Sequence, residues 1–178
     1  MPNPNQNWLN KLLNRFRTPK LTTPERNINI FKNGVRELDE GHPEKAIKYF
    51  SQAVRASPRS AKLHHYRADA YALNEQHIEA IVDYDTAVRL NPSYPDTYLD
   101  RGNSYYQLGK LENALKDFSE AIRLKPEWGE AHANRAVIHI ELGNDEDSST
   151  DARNALTHGV DEDRLNEMLE AAQANHDQ

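Results

Sequence analysis

Cysteine is absent from the chain. Disulfides, thiolate metal sites and cysteine nucleophiles are therefore excluded. The absence suits a reducing compartment, and a cytoplasmic location is the expectation. Long apolar runs are missing too. None approaches the roughly 18–20 residues that span a bilayer, and the first residues show no apolar core with a small-residue cleavage site. Glycine is sparse, seven in 178 residues, and none falls in a phosphate-cradling loop or a dinucleotide fingerprint. No nucleophile motif is present. The expectation is a protein without catalysis and without a cofactor.

Positive charge is scarce outside the N-terminus. Lys11, Arg15, Arg17, Lys20 and Arg26 against Glu25 alone give residues 1–26 a net charge of +4, so with −6 overall the rest carries −10. An acidic body repels phosphates, which argues against nucleic acid as a partner. The basic segment 7–17, NWLNKLLNRFR, places Trp8, Leu9, Leu12, Leu13 and Phe16 on one helical face, between Pro2 and Pro4 on one side and Pro19 on the other. Three roles stay open for this arm. It caps the body; or it fills an acidic, apolar groove, its own or a neighbouring copy's, giving autoinhibition or a homo-oligomer; or it makes weak contact with an anionic membrane or serves as an organelle-targeting segment. Eleven residues of helix are marginal alone in water and need a surface to fold on. Thr22-Thr23-Pro24-Glu25 then reads as a helix start, with Thr23 as the cap, proline in the first turn and Glu25 facing the positive helix end.

What dominates the remaining chain is a period of 34 residues. Pro58, Pro92 and Pro126 keep this step, as do Ala46, Ala80 and Ala114; Ala53, Ala87, Ala121 and Ala155; and Phe50, Tyr84 and Phe118. The units are 27–60, 61–94, 95–128 and 129–162, preceded by the arm (1–26) and followed by a tail (163–178). Each unit predicts two helices. In the third, Thr97 to Leu108 ends at Gly109, which can take positive φ. Glu112 to Leu124 ends at Lys125-Pro126. Gly102 and Ala114 let the two helices approach, with Phe118 beside them. Single hairpins bury too little to be stable, so the units stack.

The period and the pattern Tyr98, Gly102, Tyr105, Ala114, Phe118, Ala121, Pro126 resemble the tetratricopeptide repeat (TPR) over residues 27–162. The fourth unit departs: Ser148, Ala152 and Val160 stand where alanine, an aromatic and proline are expected, which predicts looser packing of its second helix. A terminal helix with Leu165, Met168, Leu169 and Ala172 on one face is expected to cover the last unit. The resemblance implies an all-α solenoid of four hairpins with a concave groove that binds a partner peptide or helix, as in an adaptor. Carried over to this sequence, the groove positions include Phe31 and Val35; His65, Tyr66 and Asp69; Asp96, Leu99, Asp100, Asn103 and Tyr106; and Glu130 and Asn134. Counting also Asp39 and Glu141, the groove holds six anions against Lys32 and Lys62. Phe31, Tyr66, Leu99 and Tyr106 are expected to face solvent. A basic, amphipathic protein segment is the expected partner. One subtype of the family clamps chaperone C-termini with cations and asparagines. Here those positions hold His65, Asp69, Asp100, Glu130 and Asn134, so no such clamp is expected. The alternative is a self-assembling or membrane-tethering module acting through the arm.

Arg67, Arg101 and Arg135 occupy the seventh position of units two to four, and Asp83, Asp117 and Asp151 the twenty-third. Unit one has Asn33 and Tyr49 instead. Both positions change together, which predicts packed Arg–Asp pairs, within each hairpin or between neighbours. No metal site is expected. His64 and His65 point to different faces, and His132 and His139 replace Tyr98 and Tyr105 as packed rings.

Overall fold

The computed structural model describes residues 22–177. The calls on the arm, Trp8, Leu9, Leu12, Leu13 and Phe16 among them, lie outside the described residues. Nine α-helices and no strands make up the described residues. They are α1 (Thr23–Asp39), α2 (Pro43–Ala56), α3 (Ala61–Leu73), α4 (His77–Leu90), α5 (Pro95–Gln107), α6 (Leu111–Leu124), α7 (Gly129–Glu141), α8 (Asp145–Thr157) and α9 (Glu162–His176). Consecutive helices pair as hairpins, and each hairpin packs on the next. No helix among them is long and apolar enough to cross a membrane. The chain is an all-α solenoid.

The start of α1 differs from the sequence reading. Thr22, not Thr23, is the cap: its backbone N–H donates to Glu25 Oε2 (2.8 Å) and Glu25 N–H donates back to its hydroxyl, a capping box. Two residues of helix then precede Glu25, so its carboxylate reaches back to accept from the backbone N–H and hydroxyl of the cap itself.

Small residues set the spacing inside each hairpin. A Cβ built on Gly34 would lie 2.6 Å from the Phe50 ring, and one on Gly102 would lie 2.6 Å from Phe118. Both rings are fully buried. The core repeats accordingly, with Ala46 and Phe50, then Ala80 and Tyr84, then Ala114 and Phe118 at 1% exposure or less.

The fourth hairpin corrects the expectation of looser packing. Ser148, Asp151 and Ala155 of α8 are 4% exposed or less. The ring missing at Ala152 is replaced by apolar groups from the end of the unit and from α9: Val160, then Leu165, Met168 and Leu169, pack with Ala133, Ala152 and Ala155.

The turn between the helices of a hairpin needs a left-handed residue, and Gly41, Gly109 and Gly143 supply it with φ of 74°, 66° and 73°. Unit two places Glu75 there at φ 58°. A side chain in this region costs about 1–2 kcal/mol, partly offset by the greater unfolded-state freedom of glycine. Glu75→Gly is therefore expected to stabilise the fold by about 0.5–1 kcal/mol, read as a higher urea midpoint at unchanged m-value.

Candidate functional site

The structure brings each repeated arginine to the aspartate of its own hairpin. Arg67 donates through Nε and Nη2 to Asp83 (2.6 and 2.7 Å), Arg101 to Asp117 (2.7 and 2.7 Å), and Arg135 to Asp151 (2.7 and 2.8 Å). The seventh residue of the first helix and the twenty-third of the unit face each other across the hairpin, at a distance that suits a bidentate fork. Two of the arginines also reach the unit before. Arg101 Nη1 donates to Asp85 (2.7 Å) and Arg135 Nη1 to Ser119 (3.2 Å). Position twenty-five is thus a second acceptor that the sequence reading missed.

Histidines join two of these pairs. His64 Nδ1 lies 2.9 Å from Asp83 Oδ1 and its Nε2 3.1 Å from the Pro58 carbonyl oxygen. His132 repeats this with Asp151 (3.0 Å) and the Pro126 carbonyl (2.9 Å). In unit three Tyr98 donates to the Pro92 carbonyl (3.1 Å) and leaves the aspartate alone. The electrostatics follow. Burial raises Asp151, but Arg135 and His132 outweigh it and hold the carboxyl below its ordinary range. For Asp117, burial and the nearby Asp85 carboxylate win over Arg101, and the group sits above its ordinary range.

The groove positions fall on the odd-numbered helices, and several are tied together. Phe31 and Tyr66 meet edge to face at 5.0 Å, with Phe50 behind and the Lys62 ammonium 5.0 Å from the Phe31 ring centre. Val35 packs into the same cluster. Asn134 donates to Asn103 (2.9 Å), and Tyr106 donates to Glu141 (2.7 Å). Burial and that bond to Glu141 push Tyr106 up to about 12. His65 Nε2 lies 3.5 Å from Asp69 and 3.7 Å from Asp100. Burial, with Asp69, Asp96 and Glu130 adding repulsion, pushes Asp100 up to about 8. Among the described residues no lysine or arginine pairs with Asp69, Asp96, Asp100 or Glu130.

The expected solvent-facing set needs correction. Leu99 is 5% exposed and belongs to the core shared by units three and four, with Tyr98, Phe118 and Ile138. His65 and Ala133, its counterparts in the adjacent units, are buried as well. The fifth residue of the first helix leans onto the following hairpin, which covers it. Phe31 and Tyr66 are half-buried against each other, and Tyr106 is half-buried beside Glu141. Two open depressions flank the His65–Asp69–Asp100 cluster. One of about 300 Å³ is lined by Lys62, His65, Tyr66, Tyr94 and Thr97. The other, of about 540 Å³, is lined by Asp69, Leu73, Tyr84, Asp100 and Asn103 among others.

A model of the TPR repeat matches residues 68–109 and 102–143. No curated protein matches the chain significantly in sequence. Among solved structures, the first TPR of Spaghetti (RPAP3), bound to the HSP90 peptide SRMEEVD, is 30% identical at a TM-score of 0.64, over 66% of this chain and 93% of that one. The second TPR domain of human RPAP3, in complex with the HSP70 peptide SGPTIEEVD, is 30% identical at a TM-score of 0.61, over 63% of this chain and 93% of that one. MamA shares the fold at 23% identity and a TM-score of 0.72, over 76% of this chain and 80% of that one. Stacked 34-residue hairpins with a glycine or alanine against a buried ring, joined to this identity across nearly a whole RPAP3 domain, place the chain in the tetratricopeptide repeat family.

Proposed function

We propose that the chain is a protein-interaction adaptor whose concave face, lined by α1, α3, α5 and α7, holds a basic amphipathic segment of a partner. The observation that carries this is the set of carboxylates Asp69, Asp96, Asp100 and Glu130, which have no lysine or arginine partner among the described residues. They lie beside half-buried aromatic surface at Phe31, Tyr66 and Tyr106. Carboxyl groups held above their ordinary range by burial and mutual repulsion ionise against an incoming cation, which selects positive charge in a ligand, and aromatic groups supply the apolar contact. The RPAP3 domains support use of the groove for peptides, but their ligands end in Glu-Glu-Val-Asp. An acidic C-terminus would meet His65 and Asn134 here, with Asp69, Asp100 and Glu130 opposing it. We infer a peptide groove of reversed charge preference.

Fluorescence anisotropy with two labelled peptides in chelator-containing buffer tests this. NWLNKLLNRFR, the chain's own basic amphipathic sequence, is expected to bind, and SRMEEVD is not. The double variant Tyr66→Ala/Asp100→Lys is expected to weaken the basic peptide at least tenfold, about 1.4 kcal/mol. Equal or tighter binding of SRMEEVD, or an unchanged double variant, overturns the reading.

A further inference from the structure

The repeat departs from itself at one point in space. Where unit two has His65, the other units have Phe31, Leu99 and Ala133. Where it has Asp69, they have Val35, Asn103 and Val137. Where it has Tyr84, they have Phe50, Phe118 and Ala152. Where unit three has Thr97 and Asp100, the others have Asn29, Leu63 and Ala131, and Lys32, Tyr66 and Asn134. Units one and four fold without any of these five side chains, and each of the five is missing from three of the four units, so hairpin packing does not call for them. All five nevertheless converge. His65 Nε2 faces Asp69 Oδ2 at 3.5 Å and Asp100 Oδ2 at 3.7 Å. Its Nδ1 shares a hydrogen bond with Thr97 Oγ1 (3.1 Å), and Tyr84 donates its hydroxyl to Asp69 Oδ1 (2.8 Å).

We propose that His65 Nε2, Asp69 Oδ2 and Asp100 Oδ2 form a binding site for a divalent transition metal, with zinc the best match. The three ligand atoms lie within 4.8 Å of one another. Zinc bonds of about 2.0–2.1 Å set tetrahedral ligand separations of roughly 3.3 Å, so small side-chain adjustments close the site. The imidazole is the independent indication. Its side chain is 9% exposed, and Nε2 points between the two carboxylates at ion-pair distances of 3.5 and 3.7 Å. In the tautomer whose Nδ1–H donates to Thr97 Oγ1, Nε2 carries the lone pair a metal needs, and metal binding selects that tautomer. The remaining atoms are already held in the manner of outer-shell partners: Thr97 orients the ring and Tyr84 orients Asp69. A divalent cation also relieves the repulsion between two half-buried carboxylates. The nitrogen ligand selects zinc over magnesium or calcium, which favour all-oxygen shells. Three protein ligands leave a fourth position open toward the groove.

A second cluster, Glu37–Glu40–His42, supplies the control. It is more exposed, with the His42 and Glu40 side chains 47% and 50% exposed. Residues 1–21 contain no histidine, aspartate or glutamate, so the arm adds no competing ligand.

The test is isothermal titration of chelator-treated full-length protein with zinc chloride, with circular dichroism to verify folding of each variant. Wild type and His42→Ala are expected to take up one equivalent at micromolar zinc. Asp100→Asn, which keeps the side-chain shape, is expected to lose that uptake. Tyr84→Phe, which restores the ring found in units one and three, is expected to weaken it by about 10–100-fold. Magnesium at the same concentration is expected to give no binding heat. The proposal is overturned if wild type takes up no zinc, which leaves an ordinary His–Asp ion-pair cluster. It is also overturned if folded Asp100→Asn and Tyr84→Phe both bind zinc as wild type does, or if His42→Ala abolishes uptake.

Discussion

Arg101→Leu is expected to cost about 3–5 kcal/mol and to exceed the cost of Asp117→Leu, whereas one unit later the order reverses and Asp151→Leu exceeds Arg135→Leu. The difference lies in what remains after each deletion. Without Arg101, the Asp117 carboxylate is left 4% exposed with no cation in contact. Without Asp117, the guanidinium still donates to Asp85, whose side chain is 53% exposed and well solvated. In unit four the second acceptor is the neutral Ser119, so Asp151→Leu leaves Arg135 without a carboxylate. Arg135→Leu leaves Asp151 bonded to His132 at 3.0 Å and close to His139 at 3.8 Å. The double replacements are expected to recover much of the loss, because an apolar pair of similar volume removes both buried charges at once. Urea unfolding of the four single and two double variants checks this. Equal losses for all four single variants would mean that the flanking groups contribute nothing and that the hairpin pair alone carries the energy.

The sequence exposes this arrangement because a repeat offers internal comparison. Arg and Asp appear together at fixed positions in three units and are both missing from the first, so their coupling is visible without a structure. Their partners are harder to see. Asp85 and Ser119 are different chemical types at the same position, and His64 and His132 replace a tyrosine that binds only the proline carbonyl. No single-letter pattern links these. The fold was legible down to the glycine turn at Gly109 and the close approach at Gly102, both set by backbone geometry. Leu99 was not. Its position on α5 identifies the helix face, but burial there depends on how far the side chain leans onto α7, which spacing along one helix does not encode. Asp69, Asp100 and His65 were legible as an acidic groove segment. Their convergence required the third dimension, although the simultaneous departure of Thr97 and Tyr84 from their sister positions was a signal available in the alignment of the four units.

Phe118→Ala carries the largest expected apolar loss, about 3–5 kcal/mol for a fully buried phenylalanine. The ring is 1% exposed and packs against Gly102, so no side chain on α5 at that point can fill the void. It also shares its cluster with Ala131 and Ile138 of α7, which makes the damage extend across the boundary between units three and four. In a linear array each hairpin is stabilised by its neighbours; loosening an interior one is expected to uncouple the two ends. The urea transition should therefore broaden as well as shift, giving a lower apparent m-value than for an equally destabilising surface change. Alanine is already present at the equivalent Ala152, but there α9 brings Leu165, Met168 and Leu169 against the hairpin. Unit three has no such helix. Phe118→Tyr is expected to be far milder, since Tyr84 fills this position in unit two with its hydroxyl on Asp69, and Asn103 offers a polar atom at the matching place. A loss below about 1 kcal/mol for Phe118→Ala would show that neighbouring side chains collapse into the space, and that the hairpins pack less rigidly than the glycine–ring contact requires.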